Sequence, residues 1–157
     1  MTFARSLLPA LALALSPVAM PSAALAAPLT PAQVQTVLTN MGYTPKVLSK
    51  AGESPKFEIT TTAGTFNVPI SFEVTPSGRY IWATANLGSA ATMSGDKALA
   101  LLRKNVALQP VMFWISNSNQ LVCGMAIDNR EVTPAHMKFV IDKIGADIAG
   151  SADVWGK

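Results

Sequence analysis

The chain has 157 residues, half of them hydrophobic, a formal net charge of +3 and one cysteine. The Lys and Arg residues are scattered rather than blocked, so the charged stripe of a nucleic-acid binder is missing. A lone cysteine excludes an intramolecular disulfide framework.

The first 26 residues read as an export signal. Arg5 supplies the positive start, residues 7–15 are an apolar run too short for a bilayer span, and Ala24-Leu25-Ala26 has the small-x-small form of a cleavage site. The expected cut follows Ala26, which makes the protein periplasmic or secreted. No cysteine flanks the cut, as a lipoprotein signal would require. Residues 27–157 then form a single domain of about 130 residues, enough for one modest core. Removing Arg5 leaves the charge near +2. No later run approaches the ~18 apolar residues of a membrane span. A leader that stays uncleaved would instead tether a structural protein to the envelope.

In the mature chain, Thr30-Pro31 is a capped helix start, a hydroxyl followed by Pro where its missing N–H costs nothing. Val34, Val37, Leu38 and Met41 make one stripe and Gly42 ends it, predicting a helix over 31–41. Residues 43–50 are ambiguous, with Val47 a candidate strand start. Phe57, Ile59 and Thr61 alternate with polar neighbours, and Ala63-Gly64 is a turn. Phe66, Val68, Ile70, Phe72 and Val74 continue the strand period, with Pro69 marking an unpaired side or a bulge. Thr75-Pro76-Ser77-Gly78 is a strong turn. A third strand over 79–87 places Ile81, Ala83, Ala85 and Leu87 on one side and Tyr80, Trp82, Thr84 and Asn86 on the other.

Ser94 caps the next helix, 96–106, whose apolar arc is wide: Ala98, Leu99, Leu101, Leu102 and Val106. Pro110 bars its continuation. Val111, Phe113 and Ile115 alternate with Met112 and Trp114, and Asn117-Ser118-Asn119-Gln120 is a turn. Leu121, Cys123, Met125 and Ile127 alternate again, so the two runs read as a hairpin. Thr133-Pro134 repeats the helix start. Met137, Val140, Ile141, Ile144 and Ile148 form the last stripe, and Gly150 stops it. The order α-βββ-α-ββ-α predicts an α+β domain: an antiparallel sheet of about five strands with helices mainly on one face. Tyr80, Trp82, Met112 and Trp114 all fall on the sides facing away from the core. They are the candidate partner-binding residues, provided that the 96–106 helix does not cover them.

The sequence offers no catalytic device. His136 is the single histidine and Cys123 the single cysteine, so neither a zinc site nor a Cys–His pair is indicated. Gly-x-Ser-x-Gly, P-loop and dinucleotide fingerprints are absent. Residues 128–131 lack the ligand spacing of a calcium loop. Glu58 and Glu73 face outward, in reach of Lys56 or Arg79. The expectation is a non-enzyme with no catalytic residue, metal or cofactor; a small carboxylate-based envelope enzyme is the alternative.

The starting helix with Leu38 and Gly42-Tyr43, the 57–87 meander, the 105–127 segment and the closing helix followed by Asp153-Val154-Trp155 resemble the YbjN-like family of bacterial sensory transduction regulators. That family is similar in fold to type III secretion chaperones. The resemblance implies no enzymatic activity. It implies a surface that binds a polypeptide partner or a second copy as a homodimer, without nucleic acid. The export signal departs from the cytoplasmic setting of the secretion chaperones.

Overall fold

The computed structural model describes residues 27–130 and 132–156. The export-signal reading of residues 1–26 lies outside the described residues. Helix α1 (Pro31–Asn40) opens with a reciprocal capping box. The Thr30 hydroxyl accepts from the Gln33 N–H, and the Gln33 side chain accepts from the Thr30 N–H at 2.8 Å. Two of the helix's orphan donors are thereby satisfied at once. Strands β1 (Lys46–Val47), β2 (Lys56–Ala63), β3 (Phe66–Val74) and β4 (Tyr80–Ser89) follow, then α2 (Gly95–Leu108), β5 (Met112–Ile115), β6 (Gln120–Asp128), α3 (Pro134–Ala149) and α4 (Ala152–Trp155). The predicted elements are all present, with boundaries shifted by a residue or two.

All pairings in the six-stranded sheet are antiparallel, in the order β1-β2-β3-β4-β6-β5. The expected sheet of about five strands thus has a sixth. The ambiguous 43–50 segment supplies the sixth strand, two residues that pair Lys46 with Glu58 and Val47 with Phe57. So short an edge strand carries almost no periodic signal, and only its partner defines it. The hairpin of β5 and β6 joins the meander through β6, leaving β5 at the outer edge. The four-residue α4 was also not foreseen. Its Trp155 donates Nε1–H to the Ile148 carbonyl at 2.7 Å and meets the Phe66 ring at 5.4 Å.

The inner rows of the sheet are buried as the alternation predicts: Phe57 and Ile59, Val68 to Val74, Ile81 to Ala85, and Leu121 to Ile127. All five residues of the α3 stripe are buried against them. Gly145, a poor helix former inside α3, has a packing reason. A Cβ there would sit 3.2 Å from the Ala63 Cβ, so the missing side chain lets α3 lie close on β2. Asn119 takes a positive φ of 58° in the β5–β6 turn, as its short amide side chain allows.

The β5 edge departs from the simple alternation and stripe patterns. Of the wide apolar arc of α2, Leu101 alone is buried, and Leu102 and Val106 are 60% and 79% exposed. Ile115, assigned inward, is also exposed. The physical reason is position. Helix α2 lies beside the edge strand rather than over a sheet face, so only a narrow stripe of it meets the core. Its attachment is partly polar. The Asn105 side chain accepts from the Phe113 N–H at 2.8 Å and donates to the Phe113 carbonyl at 2.9 Å. One amide thus takes the place that a further strand would fill, and closes the edge to pairing.

At the opposite corner, Asn129 is buried and fully partnered. Its Oδ1 accepts from the Leu29 N–H at 3.0 Å, and its amide donates to the carbonyls of Leu29 (2.9 Å) and Gly78 (2.8 Å). This side chain ties the entering chain to the β3–β4 turn.

Asn105→Ala leaves two part-buried backbone groups of Phe113 unpaired. It is expected to cost about 1–3 kcal/mol in urea unfolding, with greater concentration-dependent association from the opened edge. An unchanged midpoint would show that water replaces the amide.

Candidate interaction surface

The helices α1 and α3 cover one face of the sheet, and the other face is divided by chemistry. On β2 and β3 its outward residues are polar except Pro69: Thr60, Thr62, Asn67, Ser71 and Glu73 among them, with Lys56 and Glu73 paired at 3.5 Å. On β4, β6 and β5 they are mainly apolar: Tyr80, Trp82, Val122, Ala126, Met112 and Trp114. The boundary runs between Glu73 and Trp82, which face each other in the β3–β4 register. Trp82 is 40% exposed and Met112 46%, while Tyr80 and Trp114 are half-buried. Helix α2 therefore does not cover this face. All four sequence candidates lie on one continuous side of three adjacent strands.

The register explains why two tryptophans meet there. Met112 and Thr84 both pair with Gly124, one from each side of β6. Trp82 stands opposite Ala126 and Trp114 opposite Val122, so the two rings approach across the glycine. Their centroids are 5.9 Å apart and their planes are inclined by 57°. This tilted geometry suits the ring quadrupoles. A Cβ on Gly124 would come within 2.2 Å of the Ala83 carbonyl oxygen, so no other residue fits where β6 passes β4. In the sequence Gly124 is only one step of the strand alternation. The Arg79 guanidinium lies 5.2 Å from the Tyr80 ring centroid and marks the far end of the patch with a cation.

The chemistry-bearing residues elsewhere do not converge. Cys123 is wholly buried in the middle of β6. Its thiol is pushed up to about 12, chiefly by burial and further by the Asp147 carboxylate, while Lys143 pulls the other way. His136 lies in the first turn of α3, where its backbone N–H serves the Thr133 cap. Asp142 pairs with Lys138, Asp147 with Lys143, and Asp153 with Lys104. The Arg130 side chain donates to Asp128 and, with its backbone N–H, holds that carboxyl well below the usual range. Among the described residues, no group of three or more His, Cys, Asp or Glu side chains is placed to hold a metal. Nor is any helix of the described residues long and apolar enough to cross a membrane.

No protein-family profile matches the chain, and no curated protein is similar to it. Among solved structures it is similar to a chain of the heterodimeric ExoU–SpcU complex from the type III secretion system of Pseudomonas aeruginosa. The TM-score is 0.52 at 14% identity, over 78% of this chain and 94% of that one. At that identity the likeness is one of fold.

Cys123 gives a pH-dependent prediction. A thiol held neutral in the fold contributes stability that is present below its ordinary value of 9.0 and is lost as pH rises toward about 12. Urea midpoints should therefore decline over that window, and Cys123→Ala should remove this component of the decline while lowering stability at neutral pH. The folded protein should not react with Ellman's reagent at pH 8, whereas the urea-unfolded chain should react fully.

Proposed function

We propose that this chain is an exported, non-enzymatic module that binds a polypeptide through the bare face of its sheet, with Tyr80, Trp82, Met112 and Trp114 at the centre of contact. The observation that carries this reading is the Trp82–Trp114 pair. Two large rings stand partly exposed on an uncovered sheet face, close-packed to each other and flanked by Met112. Such rings bury large areas at small conformational cost, and aromatic, Met and Arg side chains dominate interface cores. Arg79 at the end of the patch adds an anchor for an acidic group.

Two further facts support it. The fold is shared with a chain from a complex of two proteins, which fits a polypeptide partner. The YbjN-like resemblance in the sequence fits a regulatory role rather than turnover. The patch also accommodates a second copy of the chain, since a homodimer needs a self-complementary apolar surface. Export to the periplasm belongs to the proposal and rests on residues 1–26 alone. A carboxylate-based enzyme finds less support, because most of the acidic side chains are engaged by a neighbouring cation or backbone N–H.

The test combines capture from periplasmic extract with the double variant Trp82→Ala, Trp114→Ala. The wild-type chain should retain a defined partner, or sediment as a dimer. The variant should lose either by more than tenfold, since hot-spot aromatics contribute about 2 kcal/mol or more each. Its far-UV circular dichroism should stay near native, because Trp82 is well exposed. A variant that unfolds would assign the pair to the core, and a variant that binds as before would move the contact surface elsewhere. N-terminal sequencing of the exported protein should begin at Ala27; a start at Met1 would replace the exported module with a tethered one.

A further inference from the structure

The solvent-facing side of α2 carries a regular pattern. Gly95, Leu99, Leu102 and Val106 recur at intervals of four, three and four residues. That is the spacing of a seam between two helices. Leu99 is nearly half exposed, and Leu102 and Val106 more so. Of the nine large apolar side chains exposed among the described residues, five lie on α2 and the adjoining β5, counting Met112 and Ile115. Exposure so concentrated marks a contact surface rather than scattered single residues. Beside Leu102 the surface opens into a slot of ≈ 270 Å³ between α2 and β5, lined by apolar residues that include Ala98, Phe113 and Ile115.

Charge and shape indicate what lies against the seam. Asp96 and Arg103, about two turns apart, flank it on one side. Both are exposed, and neither has an ion pair among the described residues. Lys97 and Lys104, on the other side of the helix, are held by the Gly156 carbonyl and by Asp153. A two-fold axis crossing α2 between Ala100 and Leu101 sets a second copy of the helix antiparallel on the first. Leu99 then faces Leu102 of the second copy. Val106 faces its Gly95, where nothing lies within 4 Å of the position a Cβ would take. Such an axis keeps each flank of the seam on its own side. Arg103 therefore comes within two residues, about 3 Å along the helix, of Asp96 of the second copy, and the pair forms twice. On the opposite flank the slot beside Leu102 gives a side chain of the second copy a hole to enter. A different protein would have to reproduce both the glycine opposite Val106 and the order of the charges; a second copy supplies them by symmetry.

We infer that this chain forms a two-fold homodimer through an antiparallel seam between two α2 helices. The inference goes beyond the proposed function: it assigns the second copy to α2 and leaves the sheet face around Trp82 to the polypeptide.

Sedimentation of the exported protein over a range of concentrations tests this, and the protein should sediment as a dimer. Leu102→Glu should weaken self-association by more than tenfold with native circular dichroism, since Leu102 is an exposed side chain at the centre of the seam. Val106→Glu, at the most exposed residue of the stripe, serves if the first variant does not fold. Asp96→Arg should weaken the dimer by about fivefold through like charges on one flank. Asp96→Arg combined with Arg103→Asp should restore it. A monomer at every concentration, a dimer that survives both seam variants, or a charge reversal that restores nothing would overturn the inference. So would a dimer weakened by Trp82→Ala, which would place self-association on the sheet face. Polypeptide capture is measured separately with Leu102→Glu as bait, so the sheet-face reading stands or falls whether or not the dimer forms.

Discussion

The apolar stripe of α3 pressed onto the inner rows of the sheet is the contact on which the rest depends. Met137, Val140, Ile141, Ile144 and Ile148 are all buried there, each contributing roughly 1.5–3 kcal/mol over exposure. Gly145 sets the distance of approach, with β2 near enough that a methyl group would crowd Ala63. This one helix, with α1, satisfies the inner face, and among the described residues no helix covers the other. The bare face is thus a consequence of how the core is closed, and it is the half carrying Trp82, Met112 and Trp114 that becomes available for contact.

Strand order decides what that face looks like. The chain leaves β4, runs along α2 to the far edge as β5, and returns as β6 between the two. Inserting β6 there brings residues 82 and 114 into a shared surface, with Gly124 between them. The same excursion leaves α2 alongside an edge. A helix in that place has one narrow buried stripe, a polar clamp at Asn105 and an apolar arc facing solvent.

The fold likeness does not by itself carry a function, since one fold supports many. What bears on function is the separation of chemistry in this molecule. Apolar groups are concentrated on one half of one face and on α2. Charged groups are mostly paired on the surface, and the one thiol is held neutral inside.

How far the sequence could be read depended on whether a signal was local. The Thr30 and Thr133 caps, the alternation in β2, β3, β4 and β6, and the α3 stripe all rest on neighbours within a few residues, and each was legible. So was the side of the sheet on which Tyr80, Trp82, Met112 and Trp114 lie, because a period of two fixes facing residue by residue. The two-residue β1, the exposed arc of α2, Ile115 at the surface, and the roles of Asn105, Gly124 and Asn129 were not. Each depends on a partner far along the chain: Asn129 on Leu29, Asn105 on the backbone of Phe113, Gly124 on the carbonyl of Ala83. Local chemistry determines which side chains share a stripe or a face. Which stripes find a surface to cover, and which remain bare, is decided only when the strands are ordered in space, since burial is a property of the pair and not of either segment alone.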